Sequence, residues 1–116
     1  MTIFVPNQLK QTTMNYKGSD LGQDFKDFFK RETARITKHL KKIGCTDIEF
    51  SMQFYYFSGF FTSKSGQAFY LSSSDVRHFG YSNLLYRTAK DYKDYTGGSN
   101  QYVSTDRGKL SQMIIR

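Results

Sequence analysis

The chain holds a single cysteine, Cys45, no tryptophan, one proline and no long apolar run. A lone cysteine excludes an internal disulfide and any zinc site built from several thiolates. The longest greasy stretch, Phe54 to Phe61, is broken by Ser58 and Gly59. That falls well short of the roughly eighteen apolar residues that mark a membrane span. Met1–Thr13 lacks the basic start and long apolar stretch of a secretory leader, so a reducing, cytoplasmic setting with no membrane partner is expected. Acidic side chains are also scarce, ten against seventeen Lys and Arg, for a net charge of +7. A field of one sign points to polyanions or acidic protein surfaces as partners.

Hydrophobic residues make up only 38% of the 116, yet eleven Phe and nine Tyr are among them. Aromatic side chains bury large areas from few positions, which keeps a compact core within reach and argues against disorder throughout. The length fits one domain. Residues 1–19, with Pro6, Asn7, Gly18 and Ser19, read as an N-terminal arm with a short strand at Ile3 to Val5, and residues 20–116 as a single α+β domain.

The charge is concentrated on one element. Between Lys26 and Lys42 lie seven bases against Asp27 and Glu32, a net +5, in a segment whose apolar residues recur at helical spacing. At 100° per residue Phe25, Phe29, Ile36, Leu40 and Ile43 share one face, with Arg31, Arg35, Lys38 and Lys42 opposite them. Ser19 or Asp20 is the expected cap and Gly44 the expected stop. From Asp47 the period changes to two, with Ile48, Phe50, Met52, Phe54 and Tyr56 alternating with Glu49, Ser51 and Gln53. A bend near Ser51 to Gln53, a strand over 54–63, a turn at Ser63–Gly66 and a strand over 67–73 complete an antiparallel meander. Asp75 is placed to cap a short helical turn toward Phe79. Beyond it the pattern predicts a second helix over 83–92, with Leu84, Leu85, Thr88 and Tyr92 inside and Arg87, Lys90 and Lys93 outside. A glycine loop at 97–98, a short strand at Gln101 to Val103 and a last helix to about Ile115, with Leu110, Met113 and Ile114 inward, follow. The expected fold is thus a long amphipathic helix packed on a short antiparallel meander, with two shorter helices.

No catalytic or metal pattern competes with the charge. His39, Cys45 and His78 are the conceivable metal ligands, but none has CxxC or HxxxH spacing, and an ordinary packed histidine and a half-buried cysteine are the simpler readings. Ser74-Asp75-Val76-Arg77-His78 is the one polar constellation, and Asp75 as a cap paired with Arg77 accounts for it. No enzyme activity, cofactor, metal or small-molecule substrate is therefore expected. The candidate binding residues are Arg31, Arg35, Lys38, Lys41 and Lys42 on the first helix, with Arg87 and Lys90 from the second. Lysines act as point charges toward phosphate and arginines as forked donors. Tyr55, Tyr70, Tyr86, Tyr92, Tyr95 and Tyr102 offer stacking surfaces, and Phe57-Ser58-Gly59-Phe60-Phe61 has the glycine-aromatic texture of an RNA-recognition strand without its basic start.

Four blocks carry a resemblance: Tyr55-Tyr56-Phe57-Ser58-Gly59-Phe60-Phe61, Ser74-Asp75-Val76-Arg77-His78-Phe79, Asn83-Leu84-Leu85-Tyr86-Arg87-Thr88-Ala89-Lys90 and Asp94-Tyr95-Thr96-Gly97-Gly98-Ser99-Asn100-Gln101-Tyr102. In these the chain resembles short bacterial proteins carried on prophages and other mobile elements, and its size and charge are similar to those of anti-CRISPR inhibitors, notably of type VI RNA-targeting effectors. The resemblance implies a non-enzymatic inhibitor in the bacterial host cytoplasm, whose partner is a CRISPR-Cas effector protein, its guide RNA or both. The alternative is a mobile-element accessory protein that binds DNA or RNA directly.

Overall fold

The computed structural model describes residues 22–94 and 97–116. The arm over 1–19, its strand at Ile3 to Val5, the cap at Ser19 or Asp20, and Tyr95 lie outside the described residues. A twenty-residue helix, α1 (Gln23–Lys42), leads into β1 (Thr46–Met52), β2 (Phe57–Thr62), β3 (Ala68–Ser73), a single helical turn α2 (Val76–Phe79), β4 (Asn83–Thr88) and β5 (Gln101–Ser104). A 3-10 turn over Lys109–Gln112 follows. The five strands form one antiparallel sheet in sequence order, β1 and β5 at its edges. The fold is α+β, as expected, but among the described residues the meander has five strands rather than three and the helices are fewer.

Alternation sorts the side chains of the sheet onto two faces. Phe57 and Phe61 of β2, Phe69 and Leu71 of β3, Leu84 and Tyr86 of β4 and Val103 of β5 are buried on the inner face. Helix α1 covers that face with Phe25, Phe28, Ile36 and Leu40. Phe57 sits at the centre of the aromatic packing, its ring 6.0–6.3 Å from those of Phe28, Phe29, Phe50 and Tyr81. Gly59 stands opposite Phe50, and a Cβ there would meet the Glu49 carbonyl and the Phe50 ring. The position is thus small because Phe50 folds across it.

The buried stripe of α1 is rotated from the expected one. Phe28 and Glu32 are inside, Phe29 is half-buried, and Ile43 is 38% exposed. The helix stops where glycine permits it: Gly44 has φ +91° and its N–H donates to the Lys41 carbonyl. At the other end Gly22 precedes the helix without a side-chain cap, and its N–H donates to the Tyr55 hydroxyl at 3.0 Å.

Two expected helices are corrected. Residues 83–88 are a strand, because Leu84 and Tyr86 point into the core while Leu85 and Arg87 point away, a period of two that the paired leucines disguise. Tyr92 is exposed rather than inward. The C-terminal helix reduces to the single 3-10 turn. Gly108, at φ +82°, turns the chain immediately before it, Leu110 and Met113 still reach the core, and Ile114 is exposed. The short turn toward Phe79 forms as expected, capped by Asp75, whose carboxylate accepts from the Arg77 N–H at 2.9 Å.

Candidate polyanion-binding face

Helix α1 is amphipathic in charge as well as in hydropathy. Its outward side carries Lys26, Lys30, Lys38, Lys41 and Lys42, all exposed, and among the described residues none of the five has a carboxylate within 4 Å. From Lys26 to Lys42, at 1.5 Å per residue, these lysines are spread along about 24 Å of helix. Unpaired exposed lysines are hydrated charges ready to exchange water and counterions for phosphate oxygens.

The two arginines of the expected stripe behave differently. Arg35 turns away from the lysines: its guanidinium donates to Glu32 Oε1 at 2.7 Å and to the Thr105 carbonyl at 2.8 Å. Tyr81 Oη donates to the same Glu32 oxygen at 3.0 Å. Burial pushes the Tyr81 hydroxyl well above the ordinary tyrosine range, with the Glu32 carboxylate adding to it and Arg35 opposing. Burial works against the charge of Arg35, but Glu32 and Tyr81 outweigh it and its pKa is raised. The trio ties the middle of α1 to the loop after β5, so Arg35 is a structural group. Arg31 lies 3.7 Å from Glu32 and stays largely exposed on the flank of the lysine face. His39, half-buried beside them, has its pKa lowered by burial and then by Lys42 and Arg35, which favours the neutral imidazole.

Arg87 and Lys90 do not join this face. Arg87 projects from the opposite side of the sheet, is 8% exposed, and its Cζ lies over the Tyr70 ring, 4.4 Å from the centroid. Tyr70 in turn packs on Phe60 at 5.2 Å, and Phe60 on Tyr92 at 6.1 Å. Lys90 is exposed just past the end of β4. Of the tyrosines expected to stack on bases, Tyr55 and Tyr86 are buried, Tyr70 is half-covered, and Tyr92 and Tyr102 are exposed. Lys26 and Lys30, absent from the expected set, belong to the lysine face; their i, i+4 spacing in the same segment was the available signal.

Among the described residues no three His, Cys, Asp or Glu side chains lie together as metal ligands. Cys45 is buried, and that burial pushes its thiol up, away from the nucleophilic thiolate. Asp75 and Arg77 form an ion pair at 2.8 Å, with the guanidinium stacked 4.6 Å over Phe54 and 4.5 Å over Tyr55. The pair joins α2 to the β1–β2 connection, where the Tyr55 carbonyl also accepts from the Val76 N–H.

Hydrogen bonding to Arg77 holds the Asp75 carboxyl below the usual range. Its contribution to stability is therefore present above the unfolded carboxyl value and lost as pH falls through the folded one. Asp75→Ala is expected to cost about 1 kcal/mol near pH 7, chiefly through the lost cap. In denaturant melts the gap between wild type and variant should narrow as the pH falls below the unfolded carboxyl value; a gap equal at neutral and acidic pH would contradict the pairing.

No helix among the described residues is long and apolar enough to cross a membrane. No family model, curated protein or solved structure matches the chain.

Proposed function

We propose that the protein is a non-enzymatic binder that inhibits a CRISPR-Cas effector ribonucleoprotein in the bacterial cytoplasm, laying the lysine face of α1 along the phosphates of the guide RNA. The observation that supports this most is the row of five lysines without ion pairs on one side of one rigid helix, since such a row matches a sugar-phosphate chain better than a mixed-charge protein surface. The resemblance to mobile-element inhibitors supplies the particular ribonucleoprotein. A second reading rests on the same lysines: contact with phosphate alone does not discriminate sequence, so a mobile-element accessory protein that binds DNA or RNA directly would use the same face.

A binder acts stoichiometrically. Titration against a fixed amount of type VI effector is expected to stop target cleavage near equimolar protein and to do so equally in chelator. Complete inactivation by a small fraction of an equivalent would point to turnover and contradict the binding mechanism. A parallel pull-down on the tagged protein is expected to retain guide-loaded effector; recovery of nucleic acid alone would favour the second reading.

A further inference from the structure

An open groove of about 660 Å³ runs between α1 and β1. Phe29, Ile48 and Phe50 form its floor, and Lys30, Lys38 and Lys41 stand along its helical wall. The strand beside it is an edge: β1 pairs with β2 on one side and, among the described residues, with no strand on the other. Register slips between Thr46 and Glu49, where Asp47 takes φ +53°, but from Glu49 to Met52 the pairing with β2 is regular. A regular edge strand presents main-chain donors and acceptors outward, and here that row borders an apolar floor and three lysines.

We infer that this groove is a docking site for an extended acidic segment of a partner protein, which adds to the sheet as a sixth strand along β1. Main-chain hydrogen bonds to the edge would supply affinity, and alternate side chains would supply specificity. Apolar residues of the segment cover Phe29, Ile48 and Phe50, and its carboxylates reach Lys30, Lys38 and Lys41. Charge complementarity fixes the sign of the occupant. A second copy of this chain, itself at +7, would bring the wrong charge to a wall of lysines. The inference does not depend on the polyanion reading, although Lys30, Lys38 and Lys41 belong to both surfaces.

The test uses the full chain and a capped octapeptide in which serine alternates with inward-facing valine and glutamate. Binding is measured by fluorescence anisotropy, with a lysine-for-glutamate peptide and an alternately N-methylated peptide as controls. The acidic peptide is expected to bind at least about tenfold more tightly than either control, because one lacks the charge match and the other the main-chain donors. It should also raise hydrogen-exchange protection within Glu49–Met52. Ala34→Trp fills the groove from an exposed helical position without altering any charge. It is expected to abolish peptide binding. A second variant, Ile48→Ser, removes an apolar floor residue on β1 away from the lysine face. This change is expected to weaken the peptide at least about tenfold while leaving the affinity for a uridine oligonucleotide within about twofold of wild type.

Equal affinity for the acidic and N-methylated peptides would overturn strand addition. Loss of oligonucleotide rather than peptide binding in Ile48→Ser would assign the groove to nucleic acid. A concentration-dependent dimer that Ala34→Trp disperses would assign it to a second copy. Because the oligonucleotide arm is read separately, failure of the groove and failure of the lysine face give different patterns.

Discussion

Joint replacement of Lys38, Lys41 and Lys42 by glutamate is expected to weaken binding to single-stranded RNA by at least about 100-fold at low salt, with the fold intact. The three sit within five residues at the exposed C-terminal end of α1, and among the described residues none is paired to a carboxylate. Each reversal removes an attraction and adds a repulsion. The helix does lose favourable charges near its negative end, an effect of a few tenths of a kcal/mol per residue at an exposed position. Far-ultraviolet circular dichroism should therefore match wild type, and filter binding should report the loss. Arg35→Glu would be a poor probe of the same idea, since that side chain holds Glu32 and the Thr105 carbonyl and its reversal would disturb packing between α1 and the loop after β5.

The largest effect on stability is expected from Phe57→Ala, at about 3–5 kcal/mol. Phe57 is fully buried and lies among the rings of Phe28, Phe29, Phe50 and Tyr81, so truncation leaves a void bounded by helix and sheet together. Phe29→Ala, on the half-buried margin of the same cluster, should cost clearly less because solvent can fill part of the space. Chemical denaturation distinguishes the two. Equal losses would mean that the rings do not converge on Phe57.

What the sequence made legible follows from the strength of each period. The spacing of Phe25, Ile36 and Leu40 identified α1, and Gly44 marked its end. The alternation from Ile48 and the serine-glycine turn at 63–66 identified the first three strands. Strand β4 escaped because Leu84, Leu85 and Thr88 satisfy helical spacing equally well. Pairing to β3 on one side and β5 on the other decides the matter, and no local pattern carries that information. The place of Phe28 and Glu32 inside the helix face was hidden for a related reason. Phe28 is drawn in by the edge-on ring of Tyr81 at 4.8 Å, and Glu32 is tolerated there only because Arg35 and Tyr81 satisfy it.

The lysine face of α1 was legible in its position and less so in its members. Lys38, Lys41 and Lys42 were in the expected set and are exposed together, whereas Arg35 was counted among them although a buried acid claims it. Arg87 carried a charge that a helix would have turned to solvent. In a strand beside Tyr70 the same residue becomes part of the packing on the far side of the sheet. The groove along β1 was invisible, since it exists only where a helix wall and a sheet edge meet.

If the lysine row on α1 grips phosphates, binding to a single-stranded RNA must weaken steeply as salt rises. Five lysine–phosphate contacts predict that the logarithm of the association constant falls with the logarithm of salt concentration at a slope of about −3.5, and that the Lys38, Lys41 and Lys42 reversal flattens it. A wild-type slope near zero, or one unchanged by the triple reversal, would mean that these lysines do not hold phosphate.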